Sequence, residues 1–331
     1  MWTPARRTGR RGILKNVAAA VTLVALSVFS TETRAGDATL NVVATTGMIA
    51  DAARQIGGDA VEVKALMGPG VDPHSYRQTR SDIVAMTRAD IVLYHGLYLE
   101  AQMEQFLQDL ARNRNVVPVA DALPKDLLRA NIDYENKFDP HVWMAPELWS
   151  GVVVEVERAL SEARPEMAET FAANTEAYLE QIDRLHDYAV ETLSKVPAQS
   201  RVLVTAHDAF GYFGEAYGFE VLGIQGVSTE SEAGLNRIRT LVNALVDNDV
   251  RAVFVESSVS DRNMRALVEG AEARGHEVAI GGELFSDAMG RDGTYEGTYV
   301  GMIDHNVTTI ASALGADVPA GGMDGKLSPG I

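Results

Sequence analysis

Short apolar-rich runs alternate with amphipathic stretches along most of this chain. Residues 40–44, 61–66, 91–94 and 116–119 have the composition that buried parallel strands require, and helical periodicity fills the gaps between them. The same alternation resumes at 202–205, 221–224, 252–255 and 278–280, so two α/β units follow one another. Between the units, residues 165–196 contain no glycine and no internal proline, and Phe171, Tyr178, Ile182, Leu185, Ala189 and Leu193 recur at steps of seven, four, three, four and four. That spacing sets six apolar side chains on one stripe of a single helix. The fold expected is α/β, with two Rossmann-like lobes of parallel sheet, over 36–164 and 197–331, joined by one long rigid helix over 165–196. An unbroken helix between lobes resists wide hinge opening, so modest lobe motion is expected. The Gly- and Pro-containing tail at 320–331 is expected to be disordered.

The first residues break this pattern. Arg6, Arg7, Arg10, Arg11 and Lys15 precede an apolar run at 17–29 that is short for a membrane span, and Thr33-Arg34-Ala35 places small residues at the two positions a signal peptidase reads. Residues 1–35 are therefore expected to be a signal peptide. Export follows either the Sec route or, given Arg10-Arg11-Gly12-Ile13-Leu14-Lys15, the twin-arginine route. Removal of 1–35 takes away six of 29 Lys and Arg and one of 46 Asp and Glu, leaving 23 basic against 45 acidic residues and a net charge of −22. Such a surface repels nucleic acid and draws cations. The sequence has no cysteine, hence no disulfide and no thiol to carry a lipid anchor. A soluble periplasmic monomer is expected.

Candidate chemistry rests on three histidines near strand ends or turn residues. They are His74 in Asp72-Pro73-His74, His141 in Asp139-Pro140-His141, and His207 in Thr205-Ala206-His207-Asp208. In parallel sheets ligands gather at the carboxyl ends of strands, so the three can face one crevice. Proline fixes its own φ and holds the residue before it extended, which aims the following imidazole as a metal site needs. The Asp of each Asp-Pro-His can also accept a hydrogen bond from the ring nitrogen that does not bind metal. A lone histidine is more often a surface or satisfied core residue; two such tripeptides in one lobe and a third histidine in the other shift the balance toward a shared ion. His186, His276 and His305 are expected to be solvated or structural. His95 is a possible neighbour of the site, and Glu232 and Glu256 are candidates to support ligands or lock the lobes.

The chain also resembles the TroA-like metal-binding receptors of zinc, manganese and iron ABC importers over nearly its whole mature length. The resemblance is carried by Thr45-Thr46-Gly47-Met48, Gly70-Val71-Asp72-Pro73-His74, Asp139-Pro140-His141-Val142-Trp143 and Thr205-Ala206-His207-Asp208-Ala209-Phe210-Gly211-Tyr212-Phe213. Further on it continues through Gly226-Val227-Ser228-Thr229-Glu230-Ser231-Glu232, Phe254-Val255-Glu256-Ser257-Ser258 and Gly281-Gly282-Glu283-Leu284-Phe285-Ser286-Asp287-Ala288-Met289-Gly290. It implies that His74, His141, His207 and Asp287 are four metal ligands, and it alone singles out Asp287 among the acids. It also implies an inner-membrane ABC permease and its ATPase as partners.

Three imidazoles and one carboxylate suit several divalent ions. A monodentate Asp fits Zn2+, a bidentate one Mn2+ or Fe2+. The histidine-free stretch 121–138 lacks the His-rich loop common in dedicated zinc receptors of this family, which tilts the expected cargo toward manganese. His207 stands where manganese-preferring relatives often carry Glu, which keeps a zinc-specific receptor as the alternative. A metalloenzyme needs an open coordination position, and no His-Glu-x-x-His helix occurs; no Gly-x-Gly-x-x-Gly follows a strand as a dinucleotide site would need. An envelope adhesin leaves no chemical motif to read. Because a ligating imidazole must be neutral, affinity is expected to fall below about pH 6.5.

Overall fold

Four apolar residues in five, all buried, make Leu40–Ala44 (β1) the centre of a parallel sheet, and the chain returns to it repeatedly. A computed structural model describes residues 39–131 and 134–329. After β1 the hydroxyl of Thr46 accepts the N–H of Ile49 and starts the helix Gly47–Gly57 (α1), which leads to Val61–Ala65 (β2). A capping box between Thr79 and Asp82 opens Arg80–Arg88 (α2), followed by Ile91–Tyr94 (β3), Glu104–Ala111 (α3) and Val116–Pro118 (β4). The four strands lie in the order β2-β1-β3-β4, all parallel. The proposed export signal at 1–35 lies outside the described residues.

Pro146 at the first turn opens Pro146–Ala163 (α4). The chain then breaks at Arg164-Pro165 and enters the 27-residue helix Ala168–Ser194 (α5). The expected long helix is thus present, but its first three positions, Pro165–Met167, form a 3-10 turn. All six stripe residues from Phe171 to Leu193 are buried. The second lobe follows as Val202–Thr205 (β5), Gly211–Tyr217 (α6), Glu220–Gly223 (β6), Leu235–Asp247 (α7), Ala252–Glu256 (β7), Arg262–Glu272 (α8), Ala279–Leu284 (β8) and Tyr299–Ala313 (α9). Strands β5 and β6 pair in parallel, as do β7 and β8, and β5 lies beside β7. Strand β8 extends well past the expected 278–280. Gly281 reads as a stop but is a packing residue: a Cβ there would stand 2.8 Å from Ala313 Cβ on α9 and 2.9 Å from the Phe254 ring on β7.

One apolar core runs unbroken from β1 and α1 through α4 and α5 to α6 and α9. Helix α5 packs on α1 and α4 from the first half and on α6 and α9 from the second. Buried Asp51 of α1 binds this frame by accepting the Tyr178 hydroxyl of α5 at 3.1 Å and the Tyr299 N–H of α9 at 2.9 Å.

The tail departs from expectation. Within the described part of 320–331 the chain is pinned, not loose: Met323 N–H reaches both oxygens of Asp304 at 3.0 Å, and Ser328 N–H reaches Glu296 at 2.6 Å. Gly322, at φ +72°, passes so close to Asp304 that a Cβ would come within 2.5 Å of its carboxylate. The glycines that suggested disorder are what let the tail close on a buried acid.

Candidate metal centre

Four side chains from four segments converge at the carboxyl ends of the strands. His74 stands in the loop after β2, His141 in the turn before α4, His207 just after β5 and Asp287 just after β8. One atom from each lies within 4.8 Å of the other three, and all four residues are buried. His141 Nε2 is 3.2 Å from His74 Nε2, 3.4 Å from His207 Nε2 and 3.3 Å from Asp287 Oδ1. His207 Nε2 is 3.2 Å from Asp287 Oδ2, and His74 Nε2 is 4.0 Å from Oδ1. A tetrahedral ion with bonds of about 2.0–2.1 Å separates its ligand atoms by roughly 3.3–3.4 Å; the contacts of His141 and the His207–Asp287 contact are close to that, and His74 stands farther from Asp287, at 4.0 Å. Asp287 Oδ1 is also a buried acceptor without a well-formed hydrogen bond among the described residues, with His141 Nε2 at 3.3 Å, and a bound cation would satisfy it.

Carboxylates behind the rings fix their orientation. Asp139 Oδ1 accepts the His141 backbone N–H at 3.0 Å and its Nδ1–H at 2.7 Å. Glu256 accepts the His207 N–H at 2.9 Å and its Nδ1–H at 2.5 Å. Both rings therefore donate from Nδ1 and aim Nε2 inward. Asp72 behaves differently from the expectation for its tripeptide: it accepts the backbone N–H of His74 at 2.9 Å and the Ser75 hydroxyl at 2.8 Å, and so fixes the loop and not the ring.

Burial favours the neutral form of every imidazole here, yet the outcomes diverge. For His141 burial is outweighed by the hydrogen bond and charge of Asp139, with Asp287 behind them, and the ring is raised to about 9. His207 is likewise raised well above the ordinary value, against its burial, by Asp287 and Glu256. In His74 burial prevails, helped by the neighbouring imidazoles, and the value falls to about 4. Burial would raise Asp287, but His207 and His141 hold it well below the usual carboxylate range. The metal-free cluster therefore keeps protons on His141 and His207, which an arriving cation must displace.

The remaining candidates separate cleanly. His95 is buried beside the site: its Nε2–H donates to Pro140 O at 2.7 Å and its ring meets Trp143 edge-on at 5.0 Å, so it braces the peptide before His141. His276 and His305 are structural, donating to the carbonyls of Val250 and Glu283. His186 packs partly exposed against Tyr217. Glu256 holds His207 through two hydrogen bonds, whereas Glu232 stands exposed and its neighbours Thr229 and Glu230 make the contacts to the first lobe. Sequence reasoning gave no sign of the buried ties that lock His141 to the second lobe: Trp143 Nε1–H to Ser286 O at 2.8 Å, Tyr299 hydroxyl to Trp143 O at 2.9 Å, and Tyr212 hydroxyl to Asp139 O at 2.9 Å. Aromatic residues beside each ligand were the available signal.

A crevice of about 20 Å3, walled by Met67, Val71, Pro73 and Met289, reaches Asp287 and has room for about one water. A larger cavity of about 400 Å3, near Tyr94, Tyr98 and Lys137, shares no residue with the cluster.

Fold and site together define a class, the solute receptors that enclose a small cation between two α/β lobes. Within it, the chain belongs to the ZnuA family, described as the periplasmic component A of a zinc-uptake complex, whose profile matches residues 42–313. It is 48% identical over 281 residues to the manganese-binding lipoprotein MntA of Bacillus subtilis, covering 85% of this chain and 92% of that one. It is 47% identical over 286 residues to the zinc-binding protein TroA of Treponema pallidum, covering 86% and 92%. The solved structure of the periplasmic zinc-binding protein TroA superposes with a TM-score of 0.81 over 84% of this chain and 99% of that one.

Proposed function

We propose that this chain is the periplasmic receptor of an ABC metal importer, in which Nε2 of His74, His141 and His207 and the carboxylate of Asp287 enclose one divalent transition-metal ion for delivery to an inner-membrane permease driven by its ATPase. The observation that carries this reading is the convergence of three buried imidazoles and one buried carboxylate whose ligand atoms all lie within 4.8 Å of one another. Manganese is the favoured cargo, with zinc as the alternative and iron within reach. Both oxygens of Asp287 face imidazole nitrogens, Oδ1 toward His141 at 3.3 Å and Oδ2 toward His207 at 3.2 Å, so the carboxylate can offer both to one ion and raise the oxygen share that Mn2+ prefers. The relatives named for manganese and for zinc are almost equally similar.

A receptor is favoured over a metalloenzyme because four protein ligands complete the shell and the adjoining crevice holds about one water, leaving no place for a substrate. Among the described residues no helix is long and apolar enough to cross a membrane. MntA is named a lipoprotein; the absence of cysteine here favours a form free of lipid, exported by the signal at 1–35. The working division is a lobe at 36–164, the linking helix at 165–196, a lobe at 197–331, and a monomer. Elemental analysis of protein taken from its own envelope, followed by competition between Mn2+ and Zn2+, tests the assignment. One ion per chain is expected, and Asp287→Ala should lose it; a variant that retained stoichiometric metal would remove Asp287 from the shell.

A further inference from the structure

Three of the four ligands share one buried frame. His141 and Asp287 are joined through Trp143 and Ser286 O, Asp139 is held by the Tyr212 hydroxyl, and His207 is backed by Glu256. His74 is placed differently. Its loop is partly exposed, and its Asp72 acts on the backbone of the ligand. The second oxygen of that same carboxylate reaches across the cleft, where it accepts the hydroxyl of Thr229 at 2.6 Å.

Thr229 belongs to a segment of the second lobe that follows β6 and spans the cleft. Gln225 Nε2–H donates to Ser231 O at 3.2 Å and braces it. The next residue, Glu230, accepts from the Gln102 amide and, at 3.5 Å, from the Tyr134 hydroxyl, both on the first lobe. The segment is thus anchored twice, and one anchor sits two residues from a ligand.

We propose that Asp72 and Thr229 are a positioning pair that sets how long the ion stays bound, by tying the His74 loop to the opposite lobe; this rests on His74 being a ligand. The hydroxyl-to-carboxylate bond is charge-assisted, partly shielded from water, and spans 157 residues of sequence. It can form only when the His74 loop and the second lobe are together, so it stabilises the closed form and adds nothing to the encounter with the ion. Its loss therefore raises the dissociation rate and leaves the association rate alone.

The test uses intact protein loaded with Zn2+ and mixed rapidly with an excess of a chromogenic chelator. Thr229→Val keeps the shape and removes the hydroxyl, leaving the bonds of Asp72 to His74 and Ser75 in place. Its release rate should rise about ten- to a hundredfold, the effect of one charge-assisted hydrogen bond. Association should stay within about twofold of wild type, because tuning lies in the off-rate. Thr229→Ser should restore slow release, and the urea midpoint of the metal-free Thr229→Val protein should match wild type. Release from Thr229→Val at the wild-type rate overturns the pair, and so does a loss of metal-free stability in step with faster release. Failure of wild type itself to take up Zn2+ sinks the receptor reading as well.

Discussion

At the scale of single residues, the carboxylates behind the imidazoles govern the site as much as the imidazoles do. Glu256 takes two N–H groups of His207 from a fully buried position. Glu256→Gln conserves volume but replaces one acceptor by a donor, which then faces an N–H group of His207. Metal affinity should fall by about 10- to 100-fold, read by competition with a chelator; an unchanged affinity would mean that the ring needs no such support. Asp-Pro-His motifs made His74 and His141 visible from sequence, since proline stiffens the chain next to each imidazole. Glu256 is 49 residues from His207 and Thr229 is 157 from Asp72. Only folding makes such partners, so no local pattern announces them, and for the same reason Asp287 needed the family resemblance to be found.

At the scale of elements, periodicity was a good guide wherever burial is one-sided or complete. Strands β3 and β5 have the expected ends because their apolar runs are bounded by polar residues, while β8 runs on through Gly281, where local propensity yields to packing against α9. Helix α5 shows the same logic. Leu185 is wholly buried in the stripe shared by both lobes, whereas Val190 is 46% exposed on the opposite side. Leu185→Ala should cost about 2–5 kcal/mol in urea unfolding, the usual toll of a core cavity. Val190→Ala should stay within about 0.5 kcal/mol. Equal effects would deny α5 its place as the common wall of the core. The tail was misjudged because glycine content signals freedom only when nothing nearby captures the chain, and Asp304 and Glu296 do.

At the scale of the molecule, the cluster couples stability to pH. His141, raised to about 9, adds stability to the metal-free fold that is complete below the unfolded value of 6.5 and is lost as pH rises through about 9. His95 and His74 are depressed by burial to about 3 and about 4, so their neutral burial is penalised as pH falls from 6.5 toward those values. The melting temperature of the metal-free protein should therefore peak near about pH 6.5 and fall toward both about 5 and about 9. Metal affinity runs the other way on the alkaline side: with the His141 proton still to be displaced at neutrality, it should keep rising to about pH 9, well beyond the boundary that ordinary imidazoles suggest. Melting curves with and without added Mn2+ across that range check both signs, and a metal-free midpoint that climbs steadily from about pH 6.5 to 9 would contradict the assignment of the proton to His141.

Because one apolar core threads both lobes and α5 carries no break, the receptor proposal implies that filling and emptying alter the outline of the molecule only slightly. A transporter that docks on it then meets nearly the same silhouette in either state. What distinguishes them is electrical and mechanical: a doubly charged ion in place of exchangeable protons, and a stiffer rim at the cleft. On that proposal occupancy would be reported by charge and rigidity, and a partner that recognised shape alone would seize empty and laden copies alike.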